Sequence, residues 1–279
     1  MKQQVALVTG GASGIGRALA QALTSRGHVV VVADVDGIAA RTTAAELSET
    51  AAGAGGATGI TLDVTDRPAF RDAVDQVVAT HGRLDLLFNN AGIGVGGLVD
   101  ELDDEHWDRC LAVNLHGVVH GVQAAVPAMT RQGSGHIVNT ASMAGLMTTP
   151  MMLPYTTSKH AVVALSRALR SELKPVGVGV TAVCPAFIAT PLLDNLNPGM
   201  APTAATSGVR QLAATLQPRG LPGPEPLADA VLHGVAKNKP LVVFPREQWA
   251  VVAAQRWLPT VVHAAVDQQV RRYRARRAG

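Results

Sequence analysis

Val5-Ala6-Leu7-Val8-Thr9-Gly10-Gly11-Ala12-Ser13-Gly14-Ile15-Gly16 decides the fold. Four consecutive apolar residues, too few for a helix and with no polar alternation, predict a strand buried on both faces. The glycines that follow let the chain turn sharply and approach a ligand closely. The pattern then becomes helical from Arg17. Strand, glycine-rich turn and helix N-terminus together form a cradle for a pyrophosphate, because the first helical N–H groups and the helix dipole favour an anion. Gly10, Ser13, Gly14, Ile15 and Gly16 are the expected contacts. The spacing is Gly-x-x-x-Gly-x-Gly, a variant of the commoner dinucleotide fingerprint.

The rest of the chain repeats the theme. Short apolar runs near Val29–Ala33, Gly59–Leu62, Leu84–Phe88, His136–Thr140, Val178–Val183 and Leu241–Phe244 alternate with helix-length segments. Such alternation predicts an α/β fold: a doubly wound parallel sheet of about seven strands with helices on both faces. Length and composition agree. The 279 residues are 47% hydrophobic but only 3% aromatic, so Ala, Val, Leu and Gly must do the packing. Two cysteines, Cys110 and Cys184, give no disulfide framework and point to a reducing, cytoplasmic setting. Five arginines at 271, 272, 274, 276 and 277 exceed the whole formal charge of +3, so the basic character belongs to the tail and no nucleic-acid partner is expected.

Asp34 ends the second strand twenty residues past Gly14. A carboxylate there accepts hydrogen bonds from adenosine ribose hydroxyls and repels a 2′-phosphate. Neither Ser13 nor Val35 is basic, so NAD is expected over NADP. Asp36 is the better helix cap. Asp63 and Val64 follow the third strand, where a loop role and an adenine contact both remain open. Asn89-Asn90-Ala91-Gly92 closes the fourth strand, at the carboxyl end where such sheets bind ligands. Asn114, a poor helix former, interrupts the helical segment Asp104–Met129 and suggests a distortion. Ser142 follows the fifth strand, thirteen residues before Tyr155.

Tyr155-Thr156-Thr157-Ser158-Lys159 puts a phenol and an ammonium on one helix face, a turn apart. The cation is expected to lower the phenol pKa and fit it for proton exchange with a hydroxyl or carbonyl. A Tyr-x-x-x-Lys match alone is common by chance; the other motifs give it meaning.

Taken together, Thr9–Gly16, Asp34, Asp63, Asn89–Gly92, Asn114, Ser142, Tyr155-x-x-x-Lys159 and Pro185…Thr190 resemble the short-chain dehydrogenases/reductases, in the family's order. The resemblance implies one Rossmann-type domain and hydride transfer to or from a nicotinamide. It implies Tyr155 as acid/base, Lys159 as the group that tunes it and holds the nicotinamide ribose, Ser142 as the group that polarises the substrate oxygen, and Asn114 as anchor of a water in a proton relay. Asn90, Ala91, Gly92, Pro185, Ile188 and Thr190 would complete the cofactor site. The usual Pro-Gly after the sixth strand is Pro185-Ala186 here.

Residues 1–245 are expected to form the catalytic domain, with 191–226 as a Pro- and Gly-marked substrate lid inside it. Residues 246–279 are expected to form a helical extension that Pro259 splits, with Val251, Leu258, Val262 and Ala265 as its apolar stripe. Packing on the same domain or a partner subunit is the favoured reading of that extension; attachment to a membrane surface through the stripe and the arginines is the second. The apolar candidates Met143, Met152, Phe187 and Leu192 suggest a neutral, bulky secondary alcohol or ketone as substrate. A non-catalytic NAD-binding sensor or scaffold is the rival from another class. No metal is expected. A homodimer, with a tetramer as alternative, is the expected assembly.

Overall fold

The computed structural model describes residues 3–53, 55–204, 209, 213, 217 and 220–278, with the side chains of 276–278 excepted. Seven strands form one parallel sheet in the order β3-β2-β1-β4-β5-β6-β7. They are β1 Val5–Thr9, β2 Val29–Asp34, β3 Gly56–Thr61, β4 Leu86–Asn89, β5 Gly135–Thr140, β6 Val178–Pro185 and β7 Leu241–Phe244. The order reverses between β1 and β4, and that switch point opens the crevice where sheets of this kind bind ligands.

The unalternated strands are buried as their composition requires. Leu7, Leu87 and Ile137 stand in register across β1, β4 and β5, and pack with Phe70, Met129 and Val180 on one face. Val8, Phe88 and Val138 stand in the next register row and pack with Leu19, Val30 and Leu227 on the other. Each fully buried Leu or Phe contributes about 2 kcal/mol relative to exposure.

Helices α1 Gly14–Thr24, α2 Gly37–Glu49 and α7 Pro224–Ala236 cover the second face, while α3 Arg67–His81, α5 Gly117–Gln132 and α6 Leu153–Leu173 cover the first. Helix α4 Asp104–Leu111 joins α5 through a π-turn at Ala112–His116. That turn is the distortion expected around Asn114.

Beyond β7 the extension is helical and splits at Pro259 into α8 Gln248–Trp257 and α9 Pro259–Ala278. The expected stripe does not form. Leu258 lies between the helices, 56% exposed, and Ala265 is exposed. The break resets the helical phase, and α9 turns Val262, Val266, Gln269, Val270 and Tyr273 inward instead. Val251 and Val252 of α8 pack against the core cluster around Met143 and Val243. Among the described residues, no helix is long and apolar enough to cross a membrane.

Candidate active site

The glycine-rich turn owes its shape to backbone that only glycine tolerates well. Gly10 and Gly14 have φ of +60° and +50°, and a Cβ on Gly10 would lie 2.9 Å from Ala91 Cα. The turn therefore lies directly on the end of β4. Ser13, at the start of α1, makes no capping hydrogen bond and lines a large cavity together with Gly10, Gly14 and Ile15. Gly16 lies behind the turn, off the cavity wall: a Cβ there would sit 2.0 Å from the Gly10 carbonyl oxygen. Its missing side chain lets the helix close against the turn.

Asp34 projects toward this turn. Its carboxylate accepts the Ala12 N–H at 3.1 Å and the Asp36 N–H at 3.2 Å, which fixes it at the cavity edge. Asp36 caps α2, accepting the Ile38 and Ala39 N–H groups. Asp63 closes a local turn, accepting the Thr65 N–H and hydroxyl at 2.8 and 2.7 Å, and with Val64 lines the cavity beside it.

The two consecutive asparagines at the end of β4 point different ways. Asn90 donates to the Thr9 carbonyl at 3.1 Å and accepts from the Thr140 hydroxyl at 3.2 Å, so it ties the ends of β1 and β5 to its own strand. Asn89 is buried and donates to Asn139, which donates in turn to Ser166; this chain serves packing. Asn90, Ala91 and Gly92 line the cavity.

Tyr155 stands in the first turn of α6, whose start Pro154 favours by its fixed φ. Lys159, one turn on and 4% exposed, places its Nζ 5.6 Å from the Tyr155 ring centroid and donates to the Thr140 carbonyl at 2.9 Å. Ser142 opens a short 3₁₀ turn, accepts the Ala144 N–H at 3.1 Å and hydrogen-bonds the Tyr155 phenol.

Asn114 is fully buried in the π-turn. Its amide accepts the Ile93 N–H at 2.8 Å and donates to the Ile93 carbonyl at 2.9 Å. It does not line the cavity. A Cβ on Gly92 would lie 3.1 Å from Asn114 Oδ1 and 3.5 Å from Lys159 Nζ, so both side chains crowd one glycine.

The electrostatics differ from the sequence expectation. Burial pushes the Tyr155 phenol up to about 12, with the Ser142 hydrogen bond opposing. Burial also pulls Lys159 down to about 8. Burial is the larger cause at both, opposed at Tyr155 by Ser142 and at Lys159 by Cys110 and Cys184, and it favours the neutral phenol.

Tyr155, Lys159, Ser142 and the glycine-rich turn share one cavity of about 1160 Å³, above the range of about 300–1,000 Å³ usual for a single small ligand. Pro185 at the end of β6 and Ile188 and Thr190 after it line the cavity, and Met143, Met152, Phe187 and Leu192 give it apolar walls. Three contributions were not legible in the sequence. Gln217 brackets the Phe187 peptide, accepting its N–H at 2.9 Å and donating to its carbonyl at 3.2 Å. Arg109 reaches the wall from α4 beside Gly199, where a Cβ would lie 2.9 Å from the guanidinium. Gln248, Val251, Val266, Gln269 and Tyr273 arrive from the extension. All depend on long-range folding that no local pattern announces.

The first part of the expected lid is tied down. Asn197 accepts the Gly96 N–H at 2.9 Å and donates to its carbonyl at 3.0 Å, while Thr203 donates to the same carbonyl at 2.6 Å. Most of residues 205–219 lies outside the described residues.

A family model described as short chain dehydrogenase matches residues 4–201. The chain belongs to that family, and its fold is the family's dinucleotide-binding Rossmann fold. It is 37% identical over 267 residues to the "Probable oxidoreductase EphD" of Mycobacterium tuberculosis, covering 94% of this chain but 44% of that protein. The chain thus spans less than half the length of that relative. It is 36% identical over 251 residues to the "C alpha-dehydrogenase" of Sphingobium sp., covering 88% of this chain and 81% of the relative. Among solved structures, a short chain dehydrogenase/reductase from Burkholderia phymatum in complex with NAD superposes with a TM-score of 0.82 at 33% identity, covering 96% and 95% of the two chains.

Proposed function

We propose that this chain is an NAD-dependent oxidoreductase that interconverts a bulky, apolar secondary alcohol and its ketone. The observation that carries the reading is the convergence of Ser142, Tyr155 and Lys159 on the cavity that the glycine-rich turn also lines. A purely NAD-binding sensor needs no buried acid/base tyrosine beside a serine hydroxyl.

The residues fit the dinucleotide. Gly10, Ser13, Gly14 and Ile15 line the cavity at the start of α1, where the helix N-terminus would meet a pyrophosphate, and Asp34 presents a fixed carboxylate for ribose hydroxyls. The carboxylate favours NAD over NADP. Pro185, Ile188 and Thr190 would border the nicotinamide, and Lys159 the adjoining ribose. NAD, when bound, supplies hydride acceptance at its nicotinamide ring, and its reduced form supplies hydride donation.

Tyr155 handles the proton. In reduction the neutral phenol donates its proton to the carbonyl oxygen as that oxygen gains charge. In oxidation the phenolate takes the hydroxyl proton back. Ser142 holds the same oxygen and polarises it. Lys159, in its ammonium form, stabilises the phenolate that each reduction leaves. Asn114 would act as a positioning residue, holding the Ile93 backbone beside Gly92 and Lys159. Residues 191–226 would cover the substrate and exclude water, with the part around Asn197 and Thr203 serving as a fixed edge. Residues 1–245 would be the catalytic domain and a dimer the assembly.

Tyr155→Phe tests the mechanism. It should lower turnover of a secondary alcohol by about two to four orders of magnitude while NAD affinity is retained. Near-normal turnover would sink the assignment.

A further inference from the structure

We propose that the C-terminal helix pair is the outer wall of the substrate cavity, and that Gln269 and Tyr273 are specificity-determining residues for the end of the substrate remote from the reacting carbon. This rests on the oxidoreductase reading above and narrows it. The preferred substrate class is an elongated apolar secondary alcohol or ketone that carries a hydrogen-bonding group, such as a phenol, at its far end.

The pattern of burial on α9 is the first ground. Between residues 259 and 275 only Val262, Val266, Gln269, Val270 and Tyr273 are sheltered, and each only in part; every other position is exposed. Their spacing is one helix face. A helix laid on a filled core buries such a face completely. This face stays half-open because a cavity lies beneath it: Val266, Gln269 and Tyr273 are among its lining residues, with Val251 from α8.

The second ground is how the helix is held. Arg274 pairs with Asp100 at 3.1 Å, and His263 meets the Thr148 hydroxyl at 3.3 Å. Asp100 belongs to the loop before α4, and Thr148 to the loop between Ser142 and Tyr155 that itself lines the cavity. The helix therefore bridges two loops, one of which lines the cavity.

The third ground is chemistry. A helix kept only for packing needs aliphatic side chains on its inner face. Here Gln269 and Tyr273 line a stretch of wall that Met147, Met152 and Leu192 make largely apolar, with Gln248 and Arg109 as its other polar side chains. The Gln269 side chain makes no hydrogen bond among the described residues. A small number of placed polar groups in an apolar pocket is what fixes ligand orientation, and a site built to hydrogen-bond a substrate hydroxyl discriminates against the analogue that lacks it.

The test uses the full chain and a matched pair of alcohols, 4-phenylbutan-2-ol and 4-(4-hydroxyphenyl)butan-2-ol, with saturating NAD. The wild type should favour the phenolic member by about tenfold in kcat/KM, the size of one hydrogen bond's net contribution. Gln269→Leu combined with Tyr273→Phe should bring that ratio near unity through KM for the phenolic member, with the thermal midpoint retained. Gln268→Leu, on the exposed face of the same helix, should leave the ratio intact. Equilibrium titration of both alcohols into NAD-saturated Tyr155→Phe protein, with and without the double change, reads the same discrimination without turnover. A wild type that does not distinguish the pair in either assay, a ratio unmoved by the double change, or a ratio equally collapsed by Gln268→Leu overturns the proposal. Full turnover in Tyr155→Phe with the discrimination intact would instead overturn the assigned chemistry and leave the wall standing.

Discussion

Asn114→Ala should separate what this side chain does for stability from what it does for chemistry. The wild-type amide satisfies both polar groups of the Ile93 peptide, at 2.8 and 2.9 Å, from a position with no solvent exposure. Alanine removes both partners from a backbone that is itself partly buried beside the cavity. Each orphaned group costs at most about 1–2 kcal/mol, so the pair costs up to about 3 kcal/mol. For a chain of this size about 3 °C accompanies each kcal/mol, which gives a fall in midpoint of up to about 9 °C. Denaturant titration followed by circular dichroism reads the free energy, and a thermal scan reads the midpoint. Asn114→Asp keeps an acceptor for the N–H but cannot donate to the carbonyl, and should fall between the two. Turnover measured well below the variant's midpoint then reports the positioning of Lys159 alone. A loss below about 1 kcal/mol in Asn114→Ala would mean that the Ile93 peptide finds other partners, and the reasoning would be wrong.

Asp34→Ala with Val35→Arg should move the ratio of kcat/KM for NAD over NADP by tenfold or more, about 1.4 kcal/mol, toward NADP; wild-type preference for NADP would defeat the role given to the carboxylate. His136 is buried against Thr181, and burial first, with Arg170 second, holds it down to about 4. The unfolded chain takes up that proton below about 6.5, so stability present above that pH should be lost as pH falls toward 4, by up to about 3 kcal/mol; His136→Asn should flatten that part of the pH profile. Light scattering should report a dimer for the full chain, because α8 already covers its own subunit's core; a tetramer that dissociates when residues 247–279 are removed would refute this.

The seven strands were legible because a buried parallel strand has no polar alternation to hide it. β3 was the least well bounded: it runs from Gly56 to Thr61, earlier than its apolar residues suggest. Gly56-Ala57-Thr58 has little strand preference of its own and is recruited by pairing with Val29–Val31. The helix bearing Tyr155 begins at Leu153, eight residues before the apolar periodicity does, because Pro154 and the polar stretch after it suit a first turn. Ser142 and the glycine-rich turn were readable because each lies at a strand end or turn, and Tyr155 because it lies in the first turn of a helix, where local sequence dictates backbone. The extension's inner face was not readable. A stripe drawn through Pro259 assumes one continuous helix, and the break rotates everything after it. The direction of the Tyr155 pKa was also hidden, since burial is a property of the assembled fold.

The π-turn at Ala112–His116 holds one more residue than an α-helical path of the same length. Losing one of those five residues would let α4 run into α5 as regular helix with the facing of α5 kept, because the turn already absorbs the surplus residue. Gly121, where a Cβ would lie 2.1 Å from Asn89 Oδ1, would stay against the sheet, while the bulged backbone that aims the Asn114 amide at Ile93 would be lost. A deletion a turn or more further along α5 has no surplus to remove and rotates every later residue of the helix by about 100°. Single-codon deletions should therefore leave a folded but impaired enzyme within the turn and an unfolded chain within α5, so an indel scan read for both folding and turnover would locate the turn.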